Sequence, residues 1–171
     1  MNDSKFEVQI YTDGACEMNP GPGGWATLLV GDSQRRALSG GFRRTTNNRM
    51  ELMAVIEGLR VLKGGPRRVQ VVSDSKYVTE AVNRGWLDGW AKAGFRKSKG
   101  TRENADLWIQ LLVLLGLHEV AFEWVKGHAA HPENEECDRL AVAARQAPDL
   151  PADAGHEDPA VTNTQLGLTL L

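Results

Sequence analysis

The sequence predicts an α/β fold in which a mixed, five-stranded β-sheet has helices on its faces. Three patterns support this prediction. Apolar and polar residues alternate over residues 5–13, as in a strand with one face in the core. Two more strand-like segments, 25–31 and 35–43, are joined by a Gly-Asp-Ser turn and complete an antiparallel meander. After residue 45, segments with helical periodicity alternate with short Val-rich runs, which is typical of strand–helix units.

Local signals set the limits of the elements. The run NPGPGG over residues 19–24 predicts a turn between the first two strands. A first helix carries Met50, Ile56 and Leu62 at helical spacing and ends at Gly64-Gly65-Pro66. The remaining predicted elements are a strand over 68–73, a helix over 75–84, a short helix and loop in the tryptophan-containing segment, a helix over 105–115, a strand over 120–125 and a last helix over 132–145.

Composition narrows the class of protein. The chain has 171 residues, 42% of them apolar and 25% charged, which suits a single globular domain and excludes collagen-like, coiled-coil and wholly disordered chains. The two cysteines do not suggest a disulfide framework, and no apolar run approaches the roughly 20 residues of a membrane span. The first residues lack the apolar core of a signal peptide, so we expect a cytoplasmic protein. We also expect a monomer.

Charge is distributed unevenly, although the net charge of the chain is only −2. Residues 146–171 contain four acids and no Lys or Arg, which predicts an acidic, disordered tail after a domain over residues 1–145. The apolar end of this tail, LGLTLL, is either a protein-docking peptide or a free terminus. Residues 84–102 contain six bases and one acid together with Trp86 and Trp90. Such a segment is either a solvated helix face with core tryptophans or a groove for a phosphate backbone.

Four carboxylates stand out by their position. Asp13 follows the first strand and Asp74 follows the strand over 68–73, where ligands bind in α/β sheets. Each has a structural alternative, because Asp13 begins a common Asp-Gly turn pair and Asp74 could cap the next helix. Glu51 and Asp138 lie beside apolar residues of their helices, and a buried carboxylate needs a partner.

The alternatives for the two helical acids are a capping box of Glu51 with Asn48 and an exposed ion pair of Asp138. Carboxylates that converge repel one another, and a divalent cation removes that repulsion. Hard oxygen ligands favour Mg²⁺, with Mn²⁺ as a substitute, over zinc. Composition alone does not show that the four acids meet.

Five segments of the chain carry a family resemblance. In chain order they are YTDGACEMNPGPGGWA (11–26), TTNNRMELMAVIEGL (45–59), VVSDSKYV (71–78), NADLW (104–108) and WVKGHAAHPENEECDRLA (124–141). Together they resemble ribonuclease H of type 1, the bacterial-type enzyme that hydrolyses the RNA strand of RNA–DNA hybrids. The resemblance covers residues 5–145. It implies the ribonuclease H-like fold, in which strands one to three are antiparallel and strands four and five are parallel to the first.

The resemblance also implies a catalytic set. The family's metal-binding acids, which hold two Mg²⁺ ions during catalysis, are matched by Asp13, Glu51, Asp74 and Asp138. Asp13 would bridge both ions, and Asp138 would hold the ion on the side of the attacking water. His128 matches the histidine that shuttles protons and helps the product to leave. A zinc pair of His128 with His131 is the alternative, but no further ligand follows at zinc spacing.

Substrate contacts are implied in the same way. Some positions match family contacts to the RNA strand or to a DNA phosphate, and others belong to a basic protrusion over about 84–102 that grips the DNA strand. Together these positions are Cys16, Asn19, Thr46, Asn47, Asn48, Lys76, Trp86, Trp90, Lys92, Arg96, Lys97 and Asn134. Contacts to the 2′-hydroxyl, which only RNA carries, would identify the strand to be cut.

The chain departs from the family pattern at a few of these positions. Lys76 stands where many relatives have Gln, which would turn a 2′-hydroxyl contact into a phosphate contact. Gly89 replaces a polar residue that touches the DNA phosphate in some relatives. The protrusion has a one-residue insertion near Gly85 and a shortening near Gly100. These changes bear on the affinity for the hybrid more than on the chemistry.

The implied function is an endoribonuclease that leaves 5′-phosphate and 3′-hydroxyl ends. A catalytically silent module that binds hybrids is one alternative, and it should lack at least one of the four acids. Another nuclease or a strand-transfer enzyme of the same fold is the second, and it should lack TTNNRMEL and NPGPGG. All of these features are present in the sequence.

Overall fold

The computed structural model describes residues 6–127, 131–158 and 160. The strands are β1 (Val8–Cys16), β2 (Gly21–Gly31), β3 (Arg35–Thr45), β4 (Arg68–Ser73) and β5 (Glu119–Trp124). The helices are α1 (Asn47–Arg60), α2 (Lys76–Asn83), α3 (Trp86–Lys92), α4 (Ala105–Leu115), α5 (Pro132–Arg145) and α6 (Ala154–Glu157). None of the helices in these residues combines the length and the apolar character that crossing a membrane requires.

The strand β1 lies at the centre of a sheet with the order β3-β2-β1-β4-β5. It is antiparallel to β2 and parallel to β4, and the outer pairs β2–β3 and β4–β5 continue these two patterns. This topology confirms the predicted mixed sheet. Because the strand order switches direction beside β1, the carboxyl end of β4 opens next to β1, which is where α/β sheets bind ligands.

Neighbouring residues of β2 point to opposite faces of the sheet and join two separate cores. Leu28 belongs to a small core with Cys137 and Ala141 of α5. Leu29 belongs to the larger core that α1 and α4 help to form, in which Trp108 is completely buried. Thus α5 covers one face of the sheet, while α1 and α4 cover the other.

The run NPGPGG differs from the predicted turn, because β2 begins within it at Gly21. Packing explains the difference. A Cβ atom on Gly24 would lie 2.1 Å from the carbonyl oxygen of Ala141, and one on Gly23 would lie 2.4 Å from Cγ2 of Thr45. The glycines therefore let α5 and β3 approach the β2 backbone directly, and the bend is confined to residues 17–20.

Residues 146–158 of the acidic tail are held against the domain, so the predicted disorder is wrong for this segment. The anchor is Arg49 of α1, whose Nε and Nη2 donate to the carboxylate of Asp153 at 2.7 and 2.8 Å. Its Nη1 and Nη2 also donate to Asp106 of α4 at 2.8 and 2.7 Å. The three side chains are at most 5% exposed. Composition could not reveal this buried ion cluster, because the cation lies 104 positions before Asp153.

Further hydrogen bonds fasten the same segment to β3. Thr45 Oγ1 donates to Asp153 at 2.6 Å, and the backbone amide of Arg43 donates to the carbonyl oxygen of Pro151 at 2.9 Å. The Arg43 side chain also pairs with Glu157 at 2.8 Å. The segment is therefore part of the folded domain as far as α6. The apolar end LGLTLL lies outside the described residues.

Asp153→Asn should lower the free energy of unfolding by about 2–4 kcal/mol, because it removes a buried charge to which a guanidinium and a hydroxyl donate. Urea denaturation at neutral pH measures this change. Asp149→Asn is the matched control, since Asp149 is exposed in the same segment and its φ of 57° is one that Asn also adopts. Equal stability of Asp153→Asn and the wild type would show that the segment does not stabilise the domain.

Candidate active site

The strand register places two of the predicted acids side by side. Thr12 of β1 is opposite Ser73 of β4 in the parallel ladder, so the next residues, Asp13 and Asp74, come at the same level. Adjacent strands are about 4.8 Å apart, and the two carboxylates therefore share the edge at which β4 ends. The strand β1 itself continues to Cys16, beyond its predicted end at residue 13, because β2 still pairs with it there.

Glu51 reaches the same edge because α1 touches β1. A Cβ atom on Gly14 would lie 2.6 Å from the amide nitrogen of Glu51, so glycine is needed for this backbone contact. The nearest carboxylate oxygens of Asp13, Glu51 and Asp74 all lie within 4.8 Å of one another. The fold thus brings together three acids that are far apart in the sequence.

The start of α1 differs from a capping box of Asn48 with Glu51. The helix begins at Asn47, and its N-cap is Thr46, whose Oγ1 accepts a hydrogen bond at 3.4 Å from the amide of the third helical residue. The side chain of Asn19 accepts a further hydrogen bond from the backbone amide of Asn47 at 3.2 Å. Glu51 is therefore not needed as a cap, and it lines a pocket together with Asp13 and Asp74.

The helix α5 contributes the fourth acid. Cys137 is buried against β1, where its Sγ donates to a backbone carbonyl of that strand at 3.3 Å. The next residue, Asp138, lines the same pocket of about 250 Å³ as Asp13. Asn134 and Glu135, about one turn earlier, also line it. We call this space, which all four predicted acids line, the acidic pocket.

Burial and mutual repulsion raise the pKa values of carboxyl groups in the acidic pocket. The pKa of Asp13 is raised to about 8, chiefly by burial and then by the charges of Asp74 and Asp138. Burial is also the main reason why the pKa of Glu51 lies well above its ordinary value, although the amide of Gly14 partly opposes this shift. The pocket therefore concentrates more negative charge than the protein alone stabilises at neutral pH.

The donor set of the acidic pocket fits a hard divalent cation. Its four predicted ligands are all carboxylates, which suit Mg²⁺ or Mn²⁺. Glu51 Oε2 is buried without a hydrogen-bond partner among the residues that the structure describes, and so is Asn134 Oδ1. An unpartnered buried oxygen carries a desolvation penalty that a bound cation or a substrate hydroxyl would remove. Asp13, Glu51 and Asp74 form the closest group of candidate ligands.

Other predicted substrate residues surround this pocket. Asn47 and Asn134 line it directly. Thr46 is half-buried and Asn48 is exposed at the adjoining start of α1. Cys16 has a supporting position, because its Sγ donates to backbone carbonyls of the following turn and of β3, the shortest of these contacts being 2.9 Å. Of these side chains, the structure thus places Asn47 and Asn134 in the pocket itself.

A second space, of about 350 Å³, lies in the tryptophan-containing segment, and we call it the aromatic pocket. Its lining residues are Lys76, Tyr77, Glu80, Trp86, Trp90, Lys97, Arg102, Glu103 and Trp108. Trp90 packs edge-on against Trp108 with 5.2 Å between the ring centroids, and the guanidinium of Arg102 lies 4.2 Å from the Trp90 ring. Trp86 is 44% exposed. One tryptophan therefore packs on the core, while the other is partly exposed, with the guanidinium of Arg84 at 5.5 Å from its ring centroid.

Several residues of the aromatic pocket were not predicted. The hydroxyl of Tyr77 accepts hydrogen bonds from Asn104 at 3.0 Å and from the indole of Trp108 at 3.2 Å. Glu80 and Glu103 form ion pairs with bases of the segment, both at 3.3 Å. Trp108 lies in an apolar helix, and nothing in its sequence context distinguishes it from an ordinary core residue.

Of the remaining positions that the sequence singled out, Lys92, Arg96 and Gly89 line neither of the two pockets. Lys92 and Arg96 are exposed and do not line the aromatic pocket. A Cβ atom on Gly89 would meet nothing within 4 Å, so the loss of a polar residue there leaves open surface. His128 lies outside the described residues.

An acidic pocket at a switch in strand order, next to a pocket of tryptophans and cations, defines a class of protein: enzymes that act on phosphodiesters of nucleic acids. The comparisons with known proteins identify the family. The family model described as RNase H matches residues 5–146. The chain belongs to the RNase H family and is a hydrolase that acts on RNA in RNA–DNA hybrids.

Similar proteins support this assignment over nearly the full length of the chain. A ribonuclease H of Rippkaea orientalis is 51% identical over 162 residues, which are 94% of this chain and 99% of that protein. A ribonuclease H of Desulforamulus reducens is 51% identical over 153 residues, 89% of this chain and 96% of that protein. Among solved structures, one similar to this chain is that of LC9-RNase H1, a type 1 RNase H with the type 2 active-site motif. Its TM-score is 0.74 and its sequence identity is 33%, and the match covers 93% of this chain and 84% of the LC9-RNase H1 chain. The predicted family and fold are confirmed.

Without metal, the thermal stability of the protein should fall as the pH rises from about 4 towards 8. The unfolded chain loses the Asp13 proton near pH 3.8, whereas the folded protein keeps it until about pH 8. The folded state therefore binds more protons in this window, and each step up in pH favours unfolding. Thermal melts in EDTA at several pH values measure this trend.

Asp13→Asn should flatten that trend and raise the melting temperature at pH 8 by about 2–4 °C for each kcal/mol of repulsion removed. Added Mg²⁺ should stabilise the wild type more than the variant. Asp32→Asn is the control, because Asp32 is exposed in the turn between β2 and β3. Wild-type stability that rises with pH in EDTA would contradict the raised pKa.

Proposed function

We propose that the protein hydrolyses the RNA strand of RNA–DNA hybrids with the help of two divalent cations and leaves 5′-phosphate and 3′-hydroxyl ends. The observation that carries this proposal is the meeting of Asp13, Glu51 and Asp74, whose oxygens lie within 4.8 Å of one another. Mg²⁺ suits this donor set, and Mn²⁺ is the expected substitute. Once bound, the cations would neutralise the carboxylates and stabilise the charge that develops on the phosphoryl oxygens.

The elements around the acidic pocket have different roles in the proposed reaction. The sheet edge and α1 provide Asp13, Glu51 and Asp74 to hold the cations, and α5 adds Asp138 from the opposite side. Asn134 is buried, and its Oδ1 has no partner among the described residues. An amide both accepts and donates hydrogen bonds, so Asn134 suits the 2′-hydroxyl that distinguishes RNA from DNA.

The aromatic pocket would bind the DNA strand. The ring of Trp86 is 44% exposed and would stack on a sugar or base, with Arg84 already over the ring at 5.5 Å. Lys97 and Arg102 supply positive charge for phosphates. Lys97 is already paired with Glu103 at 3.3 Å, so a phosphate would have to compete for it with that carboxylate. Arg102, which lies over Trp90, keeps its charge available.

Some parts of the proposal rest on the family resemblance alone. His128 is assigned the transfer of protons between solvent and the reacting groups, a task that suits an imidazole. The monomeric state, the cytoplasmic location and a protein contact through the end of the tail stay predictions.

The two alternative functions have less support. A silent module that only binds hybrids does not need a buried carboxylate oxygen without a hydrogen-bond partner. Among the described residues, Oε2 of Glu51 is such an oxygen. A nuclease for duplex DNA does not need groups that suit a 2′-hydroxyl. The side-chain amides of Asn47 and Asn134 are such groups, and both residues line the acidic pocket. A hybrid-specific ribonuclease accounts for both features.

Asp13→Asn should reduce hybrid cleavage by at least about 100-fold, the scale of losing one electrostatic contact to the transition state, while hybrid binding persists. A gel assay with labelled RNA–DNA hybrid, duplex DNA, duplex RNA and single strands, with Mg²⁺ or EDTA, measures cleavage and its substrate. Asp32→Asn should behave like the wild type. Wild-type cleavage of duplex DNA would support the broader nuclease, and tight hybrid binding without cleavage would support the silent module.

Trp86→Ala should raise KM by about 5- to 100-fold and leave kcat nearly unchanged, because stacking on an exposed tryptophan adds binding that the ground state and transition state share. Steady-state kinetics on a hybrid oligonucleotide separates the two constants. Trp86 is preferable to Trp90 for this test, since Trp90 also packs on the core. Leu117→Ala, a truncation of an exposed apolar side chain between α4 and β5, is the control. A fall in kcat at constant KM would contradict a binding role.

A further inference from the structure

Asp74 lies just beyond the end of β4, so the strand ladder alone does not hold this acid in place. In the ladders of β4 with β1 and with β5, the last paired residue is Ser73. Asp74 is not the cap of the next helix either, because the N-cap of α2 is Ser75, whose Oγ accepts a hydrogen bond from an amide of the first turn at 3.4 Å. Neither the sheet nor helix capping therefore explains why its carboxylate stays in the acidic pocket.

The other acids of the acidic pocket repel the Asp74 carboxylate. The nearest carboxylate oxygens of Asp13, Glu51 and Asp74 lie within 4.8 Å of one another, and like charges at that distance repel. A short side chain just beyond a strand can relieve such repulsion by rotating to another rotamer. Groups that contact a metal ligand from outside the metal site are the usual means of fixing its orientation.

Trp124, the last residue of β5, holds the backbone at Asp74. Its indole N–H donates to the carbonyl oxygen of Asp74 at 2.9 Å, just beyond the point where the amide of Val125 donates to the carbonyl oxygen of Ser73 at 3.0 Å. The indole therefore extends the hydrogen bonding between β4 and β5 by one residue. Its ring is 43% exposed, so burial in the core does not explain why an aromatic residue ends this strand.

Gly127 lies against the side chain of Asp74. A Cβ atom on Gly127 would be 2.6 Å from Oδ2 of Asp74, well inside van der Waals contact. The backbone at Gly127 therefore occupies one side of the carboxylate and leaves room for it only because a side chain is missing. The segment 124–127 thus contacts Asp74 twice, once at its carbonyl oxygen and once at its carboxylate.

We propose that the segment 124–127 positions Asp74 for metal binding, with Trp124 fixing its backbone and Gly127 fixing the side on which its carboxylate lies. Trp124 does not line the acidic pocket, so it is a positioning residue that acts through Asp74. The inference rests on the proposed function, because it takes a divalent cation as the ligand of Asp74. It adds to that function two residues outside the four carboxylates.

Binding of Mn²⁺ to the full chain without substrate, followed by the electron paramagnetic resonance signal of the free ion, tests the role of Trp124. Trp124→Phe keeps an aromatic ring but removes the N–H. It should raise the Kd for Mn²⁺ about 10-fold, the lower end of the effect of losing a group that orients a metal ligand. Trp25→Phe is the matched control, because Trp25 is a partly buried indole of β2 whose ring lies beside Gly40. Equal Kd values for the wild type and Trp124→Phe, or an equal rise in Trp25→Phe, would overturn the role of Trp124.

Gly127→Ala tests the contact with the carboxylate and leaves the indole unchanged. The three atoms nearest to the new methyl group would all belong to the side chain of Asp74, which can turn away at little cost to the fold. Urea denaturation in EDTA should therefore give nearly wild-type stability, while the Kd for Mn²⁺ should rise about 10-fold or more. Gly31→Ala is the control, since its nearest atom would be at an ordinary 3.6 Å. Unchanged Mn²⁺ affinity in Gly127→Ala, with or without a loss of stability, would overturn the role of Gly127.

Steady-state cleavage of a hybrid oligonucleotide separates positioning of the ligand from contact with the substrate. Trp124→Phe should lower kcat at limiting Mg²⁺ and recover it at high Mg²⁺, with KM for the hybrid nearly unchanged, because the lost affinity is for the cation. A rise in KM at constant kcat would overturn the positioning role and make Trp124 a substrate contact. A wild type that binds Mn²⁺ but cuts no hybrid would refute the proposed function, while the Mn²⁺ affinities of the variants would still decide the positioning of Asp74.

Discussion

The parallel register between β1 and β4 is the constraint on which the active site depends. Because Thr12 lies opposite Ser73, Asp13 and Asp74 are neighbours at one edge of the sheet. Backbone hydrogen bonds, and not any attraction between the side chains, hold these two like charges together. A slip of one residue would turn the side chain after β4 to the other face of the sheet. The ladder therefore withstands an electrostatic repulsion that either protonation of a carboxylate or a bound cation relieves.

Close backbone contacts bring the other two acids to that edge from opposite faces of the sheet. Gly14 admits the start of α1 and with it Glu51, while Gly24 admits α5, which carries Asp138. A Cβ atom at Gly14 or Gly24 would lie 2.6 or 2.1 Å from helix backbone atoms and would push that helix outwards. The positions of the four acids thus depend on two glycines, which leave room for the helices, as well as on the acids themselves.

The sequence predicts the strands, the helices and the four acids because these depend on local patterns. Asp13 and Asp74 could be located from the ends of strands, and the family resemblance supplied their common role. The sequence patterns alone could not show that Glu51 meets them, because this depends on how α1 packs on β1. NPGPGG was misjudged for a similar reason, since the contact of Gly24 with Ala141 joins residues 117 positions apart. The aromatic pocket was only partly predicted, because Tyr77 and Trp108 have the sequence context of core residues.

The buried ion cluster has a consequence for the order in which the chain becomes a working domain. Arg49 is synthesised 104 residues before Asp153, so the guanidinium at the start of α1 lacks one of its two carboxylates until residue 153 has been made. The same helix carries Glu51. A nascent chain that ends before Asp153 therefore holds this proposed metal ligand on a helix that is fastened to α4 but not to the segment around Asp153. The chain must therefore be made as far as Asp153 before Arg49 has both of its buried partners.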